Sequence, residues 1–548
     1  MSSLTKKIDK LFMEWDKLDS PGCALGLIKD GQLVYTRSYG MANLEHDNPI
    51  SSKTVFRIGS TSKQFTAMCI VLLAEQGKLS LNDDIRKYIP ELLEYESPIT
   101  IKQLIWHTSG LPDYLDLIRL ANGGAPSSQV YNRIINNITE NDVIELLARQ
   151  KELNFKPGKA HLYSNSGYLL LAVLVKRVSG KSLREFAEER IFKPLGMKST
   201  HFHDDYTMIV KNRAAGYSPK KNGGFFINMT TCDLVGDGGI FTTIEDLLLW
   251  DQNFYHPKVG SLELIDRMLT PGTLNNGEKC HHASMPDRYY AFGLVVGVYR
   301  GLKVVSHGGG FVGFRAEMVR FPEQNCTVIC LSNLSSIQPW DLALQVADIY
   351  LFDQFPKEKP LEAVAEFISL PEEHLQDKVR VYQNPKTGTI CELFLKDGEL
   401  MVDAFGFSFQ LAPVSHTQFR AVGAPVNINI EFETPANKPL LMHVSISNQM
   451  IQTFEVIKPV ELMPNQQTEY VGDYYSDELQ VTYKVVMEGK KLFFQHKNAP
   501  EKLLIPTFKD EFNVADLNIQ FIRDKQNQVV AFIMSSERVK NKRFVKQA

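Results

Sequence analysis

The sequence predicts an α/β plus α domain with an antiparallel sheet over residues 1–358, followed by two small all-β, barrel-like domains over residues 359–460 and 461–548. Cys23–Thr36 has the pattern of two strands around an Asp30-Gly31 turn. More strands are predicted near residues 290–333, and the helical patterns between them favour an antiparallel sheet covered by helices. From Pro360 onward, short alternating apolar runs replace helical periodicity and predict β-structure.

The helices are predicted from their periodicity and their end signals. Residues 3–18 form an amphipathic pattern, and residues 115–160 are largely helical and polar, which is typical of a lid or insertion. Three further helices are predicted from short signals, namely a buried helix at Ile99–Trp106, an apolar helix at Gly167–Val178, and one opened by a capping box at Thr242-Thr-Ile-Glu245.

The β-rich region carries an internal repeat with a period near 92 residues. The first copy contains Val381-Tyr382, Gly398-Glu-Leu400, Leu411-Ala-Pro413 and Phe419, and the second contains Gly472-Asp-Tyr474-Tyr475, Gly489-Lys-Lys-Leu492, Leu504-Ile-Pro506 and Phe512. The interval from the Leu to the Phe is eight residues in both copies. This pattern predicts two copies of one small barrel or sandwich, the alternative being two unrelated β-segments with common hairpin spacings.

Length and composition limit the classes of protein to which this chain can belong. The 548 residues are enough for two to four domains, and 44% hydrophobic with 22% charged residues is ordinary for a globular protein. A formal net charge of −3 offers no basic surface for nucleic acid. We find no apolar stretch of about 20 residues and no signal-peptide core, so we expect no transmembrane segment and a cytoplasmic protein. The seven scattered cysteines, most of them in apolar runs, also indicate buried thiols in a reducing compartment.

A Ser-x-x-Lys tetrad, Ser60 to Lys63, lies at the predicted start of a helix that ends at Gly77. The small and hydroxyl residues around Ser60 favour a helix N-terminus, so Ser60 and Lys63 should share one face of the first turn. A serine hydroxyl needs a base within hydrogen-bond reach, and this lysine can serve or help. The tetrad alone is a weak signal, because Ser3/Lys6 and Ser218/Lys221 repeat it, and an ordinary capped helix is the alternative.

Two other motifs carry candidate chemistry. In Tyr163-Ser-Asn165, a buried tyrosine hydroxyl beside a lysine could act as a general base, the alternative being a turn with an ordinary asparagine. In Ser306-His307-Gly-Gly-Gly310, glycines let a backbone approach a ligand, and a histidine on an edge strand could bind a carboxylate or carbonyl. The alternative there is a glycine-rich hairpin end with a surface histidine.

Neither a metal nor a cofactor is expected. His201-Phe-His203-Asp-Asp205 resembles the His-x-His-x-Asp of metallo-hydrolases, but Tyr206 stands where the pattern needs another histidine. A Gly-x-Ser-x-Gly elbow is also missing, which argues against an α/β-hydrolase.

The order Ser60-x-x-Lys63, Tyr163-x-Asn165, His307-Gly-Gly309 resembles that of the penicillin-recognising serine hydrolases, which include class C β-lactamases, D,D-peptidases, D-aminopeptidases and related esterases. Supporting runs are Leu104–Pro112, with its His107-Thr-Ser-Gly core, Leu195–Thr200 and Gly236–Asp246. The resemblance covers roughly residues 5–350 and implies a β-lactamase-like fold. His-x-Gly with two trailing barrels looks most like the three-domain D-aminopeptidases.

The resemblance implies a role for each matched residue. Ser60 would form an acyl-enzyme, and Lys63 and Tyr163 would share the general-base task. Asn165, His307 and Gly309 would bind substrate, and the N–H groups of Ser60 and Gly310 would form the oxyanion hole.

His307 departs from the Lys-Thr-Gly of many β-lactamases and D,D-peptidases, which puts β-lactam binding in doubt. The resemblance also makes Leu504–Phe512 a candidate for a loop that reaches the active site.

These observations predict a serine hydrolase that cleaves an amide or ester bond of a small-molecule or short-peptide substrate, in the manner of a D-aminopeptidase. The first alternative is carboxylesterase or β-lactamase-type activity at the same site. The second is a catalytically idle protein that binds peptidoglycan fragments. The sequence leaves the oligomeric state open, with a homodimer as one alternative.

Overall fold

The computed structural model describes residues 3–124, 135–136, 138–220, 222–282, 285–356, 367–385, 388–404, 407–422, 428–435, 439–446, 450–458, 462–497, 499–514 and 517–547. Its contacts divide into two compact units. The first comprises residues 1–118, 126–282 and 287–357, and the second comprises residues 119–125, 283–286 and 358–548. Among the described helices, none combines the length and the apolar character that a membrane span needs.

The first unit is built on a sheet that is antiparallel at its described pairings, with strands in the order β10-β11-β12-β13-β14-β15-β1-β2. The strands up to residue 332 are β1 (Cys23–Lys29), β2 (Gln32–Tyr39), β3 (Met41–Asn43), β4 (Asn48–Pro49), β5 (Phe56–Arg57), β6 (His201–Phe202), β7 (Tyr217–Pro219), β8 (Phe225–Ile227), β9 (Ile240–Thr242), β10 (His281–His282), β11 (Met285–Tyr290), β12 (Val295–Tyr299), β13 (Leu302–Phe311), β14 (Phe314–Phe321) and β15 (Cys326–Ser332). The antiparallel sheet predicted from the sequence is confirmed.

Helices cover the sheet on both faces, so β1 is buried along nearly its whole length. One face packs against Ser3–Phe12 and Pro339–Tyr350, and the other against Ile244–Gln252. The remaining helices with residues in this unit are Lys63–Glu75, Ile101–Ile105, Tyr114–Ala121, Glu140–Ala148, Asn165–Ser179, Leu183–Ala187, Lys193–Leu195 and Leu262–Leu269. The predicted insertion at 115–160 therefore contains two helices among its described residues, while residues 125–134 and 137 lie outside them.

The predicted hairpin turn is confirmed, because Asp30 (φ 49°) and Gly31 (φ 78°) both adopt the left-handed conformation between β1 and β2. Four predicted helix starts differ from the structure by one to three residues. The helices predicted from Ile99 and Gly167 begin at Ile101 and Asn165, and the other two differences have an identifiable cause. The tetrad helix is a 3₁₀ turn over Gly59–Ser62 and becomes an α-helix only at Lys63, because the Thr61 hydroxyl donates to the His307 carbonyl and the Ser62 hydroxyl accepts from the Ile240 N–H. These hydroxyl groups join the turn to neighbouring segments instead of capping the helix.

The capping box expected at Thr242 is displaced by one residue. Thr243 is the actual N-cap, and its hydroxyl accepts from the Asp246 N–H. Thr242 belongs to β9, and its hydroxyl forms a 2.7 Å hydrogen bond with that of Thr200. Thr242, which the pattern assigned to the helix cap, is therefore part of the strand.

The second unit contains two antiparallel β-structures, as predicted. The first is a closed barrel of β16 (Val381–Gln383), β17 (Ile390–Lys396), β18 (Glu399–Ala404), β19 (Phe407–Pro413), β20 (Gln418–Val422), β21 (Ile428–Glu433), β22 (Leu441–Ile446) and β23 (Met450–Ile457). The second is a sheet of β24 (Gly472–Ser476), β25 (Val481–Glu488), β26 (Lys491–His496), β27 (Ala499–Leu503), β28 (Ile505–Phe508), β29 (Glu511–Val514), β30 (Leu517–Arg523), β31 (Val529–Ser535) and β32 (Lys542–Lys546). Two short helices, Glu372–Gln376 and Pro464–Gln467, precede them. We propose that the two sheets are separate domains that meet near residue 460.

The predicted repeat is visible in equivalent contacts. Tyr382 and Tyr474 are fully buried in the first strand of each copy, and each hydroxyl donates to the carbonyl four residues earlier, at 2.9 and 2.7 Å. Three further pairs of repeat positions are buried in both copies, which are Leu400 and Leu492, Leu411 and Leu504, and Phe419 and Phe512. In the second copy, the segment equivalent to β19 forms two separate strands, β27 and β28, which are the two edges of the second sheet.

Candidate active site

Ser60 is partly exposed, whereas every other residue from Thr54 to Leu73 is buried. The apolar residues of the helix Lys63–Glu75 hold this segment in the interior, and the preceding 3₁₀ turn brings one hydroxyl to the surface. A nucleophile must be reachable by its substrate while its partners stay fixed, and the burial pattern provides both conditions.

Lys63 is fully buried, and its ammonium has three acceptors. Nζ lies 3.1 Å from Ser60 Oγ, 2.8 Å from Asn165 Oδ1 and 2.7 Å from the Asp237 carbonyl oxygen. An ammonium has three N–H groups and a neutral amine only two, so this arrangement matches the charged form. The charge that a buried lysine carries is therefore compensated by hydrogen bonds, one of which ends on the candidate nucleophile.

Tyr163 is held beside Lys63 by His107. The His107 carbonyl accepts from the Leu162 N–H at 3.0 Å, and His107 Nδ1 accepts from the Ser164 N–H at 3.1 Å. Its ring lies 4.2 Å from that of Tyr163, measured between centroids, and Lys63 Nζ lies 4.9 Å from the Tyr163 ring. His107 adopts φ 56°, a strained conformation for a residue with a Cβ, and its three contacts to the Tyr163 segment fix it there.

Asn165 begins the helix Asn165–Ser179 and is fixed at both ends of its side chain. Its Oδ1 accepts from Lys63, while its Nδ2 donates to Asp113 Oδ2 at 2.9 Å. The same carboxylate oxygen accepts from the Asn165 backbone N–H at 2.6 Å. One of the two Nδ2 hydrogens remains to be offered to a ligand.

His307 lies in β13 beyond the last residue paired with β12, so among the described strands the stretch His307–Phe311 pairs with β14 alone. The prediction of an edge strand is wrong, because β13 is an inner strand of the sheet, although its end extends past β12 and is locally open on that side. This open end faces the turn that carries Ser60, because Thr61 Oγ1 donates to the His307 carbonyl at 3.0 Å.

The His307 imidazole is buried and neutral. Nδ1 lies 2.7 Å from the Gly308 carbonyl, which can only accept, so Nδ1 carries the proton and Nε2 accepts from the Tyr290 hydroxyl at 3.2 Å. Burial, with a smaller contribution from the Lys63 charge, lowers the pKa of His307 to about 3. The surface histidine considered as an alternative is thus excluded, and no permanent cation stands at this position.

Gly309 and Gly310 lie against the nucleophile turn. A Cβ at Gly309 would meet the Ile58 carbonyl oxygen at 1.8 Å, and a Cβ at Gly59, where φ is 50°, would meet the Gly310 nitrogen at 2.7 Å. Only glycine allows so close an approach of the two backbones. It places the Gly310 nitrogen next to the segment that carries Ser60.

All the site residues predicted from the sequence, Ser60, Lys63, Tyr163, Asn165, His307, Gly309 and Gly310, therefore converge on one region of the first unit. Four residues around them were not predicted to have a role. The Asp237 carbonyl and the His107 ring lie in runs that supported the resemblance, Asp113 follows one of those runs directly, and Tyr290 stands in no motif. For Asp113, the one signal in the sequence was its position directly after a motif.

No metal centre is found in the described part of the chain, where no three His, Cys, Asp or Glu side chains are grouped to hold an ion. The rings of His201 and His203 instead face each other, with Nε2 of the first 3.2 Å from Nδ1 of the second. All seven cysteines are free and buried.

Comparison with known proteins assigns the family. The Beta-lactamase family model matches residues 8–347. Penicillin-binding protein 4* of Bacillus subtilis (strain 168) is 27% identical over 430 residues, which is 75% of this chain and 90% of that protein. A D-aminopeptidase of Brucella canis is 26% identical over 481 residues, which is 86% of this chain and 82% of that protein.

The fold agrees with this assignment. The octameric penicillin-binding protein homologue from Pyrococcus abyssi superimposes with a TM-score of 0.58 at 24% identity, covering 83% of this chain and 100% of that one. The family model matches residues 8–347, more than half of the chain, and Ser60 and Lys63 both lie inside the matched region, so the chain belongs to the β-lactamase family of serine hydrolases.

Proposed function

We propose that this protein hydrolyses an amide or ester bond of a small peptide-like substrate through an acyl-enzyme on Ser60, in the manner of a D-aminopeptidase. The observation that carries the proposal is the contact of the buried Lys63 ammonium with Ser60 Oγ, at 3.1 Å. A buried lysine held by three hydrogen bonds would serve no packing purpose that an apolar residue could not serve better. Its direction towards the one exposed hydroxyl of the segment supports a catalytic role.

In this proposal Tyr163 is the base and Lys63 supports it. Lys63 offers all three N–H groups in the arrangement described, so it donates and does not accept. In this step Tyr163 acts as its phenolate beside the Lys63 charge, and its oxygen takes the Ser60 proton as Oγ attacks the carbonyl carbon. The N–H groups of Ser60 and Gly310 bind the oxyanion. Tyr163 then returns the proton to the leaving amine or alcohol, which departs and leaves the acyl group on Ser60.

A water molecule completes the cycle. It gives a proton to Tyr163 while its oxygen attacks the acyl carbon, and the C–O bond to Ser60 breaks as Tyr163 passes that proton to the serine oxygen. The carboxylic acid is released, and the starting state is restored. No metal or cofactor is needed for either step.

The neutral state of His307 supports amide and ester substrates over β-lactams. Carboxylate recognition at the end of β13 would benefit from a fixed cation, and His307 offers none, because its pKa lies at about 3. The name of the Brucella canis relative and its match over most of this chain support D-aminopeptidase-like activity. Esterase activity at the same site remains the second candidate, because an ester has the better leaving group and needs the same residues.

A substrate panel tests the proposal. We expect the wild-type protein to hydrolyse p-nitroanilides of D-amino acids faster than their L-enantiomers, and Ser60→Ala to abolish both activities. Hydrolysis of p-nitrophenyl esters alone would favour the esterase. Absence of turnover on every substrate by a folded protein would favour the catalytically idle binder.

A further inference from the structure

Asp113 is a buried carboxylate whose two oxygens serve different partners. Oδ2 accepts from the backbone N–H and the side-chain Nδ2 of Asn165, at 2.6 and 2.9 Å. Oδ1 accepts from the N–H groups of Leu115 and Asp116, at 3.0 and 3.3 Å, at the start of the helix Tyr114–Ala121. Asp113 is only 1% exposed, so these contacts are made away from bulk water, where hydrogen bonds to a charged group are strong.

The carboxylate fixes which way the Asn165 amide points. A carboxylate only accepts and an ammonium only donates, so the amide can satisfy both neighbours in a single orientation, with Nδ2 towards Asp113 and Oδ1 towards Lys63. The flipped amide would place an NH₂ group against the Lys63 ammonium and a carbonyl oxygen against the carboxylate. Each flipped contact would be repulsive and buried, and the cost of an unsatisfied buried group makes that orientation unfavourable.

We propose that Asp113 is a positioning residue of the hydrolytic site, which acts through Asn165 to hold the Lys63 ammonium against Ser60. This inference rests on the proposed function. The four side chains then form one hydrogen-bonded series from Asp113 through Asn165 and Lys63 to Ser60. Asp113 does not touch the reacting atoms. It orients the Asn165 oxygen that accepts from one Lys63 N–H. The Asp237 carbonyl oxygen accepts from a second Lys63 N–H.

A double-mutant cycle separates this role from simple helix capping. Asp113→Asn replaces one acceptor oxygen by an NH₂ group, so either Asn165 or the helix N–H groups lose their partner. We expect kcat to fall by about 10–100-fold, by analogy with the partners that orient the ligands of a metal site, with a much smaller change in KM. Asn165→Ala should give a similar or larger fall.

The double variant Asp113→Asn/Asn165→Ala should be no slower than Asn165→Ala alone, because Asp113 acts through the side chain that is already absent. Multiplication of the two single effects would overturn the proposal and assign Asp113 to folding or capping only. An Asp113→Asn variant with wild-type kcat would also overturn it.

Two further variants guard against loss of fold. Asp113→Ser keeps a good N-cap oxygen for the helix but lacks the second oxygen that meets Asn165, so it should fold and still lose kcat. Asp84→Asn makes the same change at another N-cap, where Oδ1 accepts from the Arg86 N–H, and should leave kcat unchanged. Recovery of wild-type kcat by Asp113→Ser would contradict the proposal.

The variants distinguish an error in the inference about Asp113 from an error in the proposed function. If Ser60→Ala abolishes hydrolysis and the Asp113 variants keep wild-type kcat, only the inference about Asp113 is wrong. If Ser60→Ala keeps the activity, the proposed function is wrong, and the positioning role falls with it.

Discussion

His307 and Tyr290 are joined by a buried hydrogen bond, with the Tyr290 hydroxyl 3.2 Å from His307 Nε2. The second ring nitrogen is engaged by the Gly308 carbonyl, at 2.7 Å. Both nitrogens of this imidazole therefore have partners inside the protein, and its proton is fixed on Nδ1. His307, which we propose as the counterpart of the lysine in a Lys-Thr-Gly motif, is therefore neutral and internally bonded.

Replacement of His307 by lysine should improve capture of carboxylate substrates. A lysine at this open end of β13 reaches further than an imidazole and brings a charge that can pair with a free carboxylate. We expect His307→Lys to accelerate Ser60 acylation by a fluorescent penicillin, by about 1–3 kcal/mol in activation free energy. Gel fluorescence over time measures this rate in both proteins. A variant that acylates no faster, while it still hydrolyses a neutral ester, would show that position 307 is not a carboxylate anchor.

Glu317 should make the protein less stable as pH rises. Its carboxyl group is 3% exposed, and burial raises its pKa from the ordinary 4.5 to about 8, against the opposing effect of Arg288. Between these two pH values the unfolded chain releases a proton that the folded chain keeps, so the stabilising contribution present below the unfolded pKa is lost as pH rises towards the folded pKa. Glutamine mimics the protonated form without this loss.

We therefore expect Glu317→Gln to raise the free energy of unfolding at pH 7.5 by about 1–3 kcal/mol, and by much less at pH 5. Urea denaturation at the two pH values measures the difference. The matched control is Glu323→Gln, an exposed glutamate near the end of the same hairpin, which should change stability by less than about 0.5 kcal/mol at either pH. A gain that is equal at both pH values, or larger at pH 5, would contradict the buried, protonated state of Glu317.

Chelators should leave hydrolysis intact, because the proposed chemistry uses Ser60, Tyr163 and Lys63 and no metal ion. Activity is measured before and after dialysis against EDTA, with and without added zinc. Loss of activity that zinc restores would point to His201 and His203 as ligands and would require a different mechanism.

The sequence was sufficient for the architecture because local signals and tertiary packing agree there. The Asp30-Gly31 turn needs left-handed backbone that these residues adopt readily, and the 92-residue repeat reappears as buried tyrosines with the same hydroxyl contact. Two helix starts were misplaced because Thr61, Ser62 and Thr242 use their hydroxyl groups for contacts between segments. A cap pattern cannot reveal such competition, since the partner lies far away in the chain.

In the candidate site, the sequence could predict only the residues whose side chains carry the chemistry, and not the residues that hold them in place. Asp237 contributes a backbone carbonyl, which any residue type could supply, so its identity holds no signal. His107 acts through a strained backbone and a ring tilted against that of Tyr163, and Tyr290 through a partner 17 residues away. These roles depend on the three-dimensional placement of segments, which spacing in the sequence does not define.

The central claim is that Ser60 forms a covalent intermediate, and active-site labelling followed by mass spectrometry tests it most directly. The protein is incubated with a fluorophosphonate, digested and mapped, beside Ser60→Ala and a control, Ser218→Ala, which alters a second Ser-x-x-Lys tetrad whose serine is buried. We predict one adduct on the peptide that contains Ser60 in the wild-type and Ser218→Ala proteins, and none in Ser60→Ala. An adduct that persists in folded Ser60→Ala, or the absence of any adduct in the wild-type protein, would contradict the account.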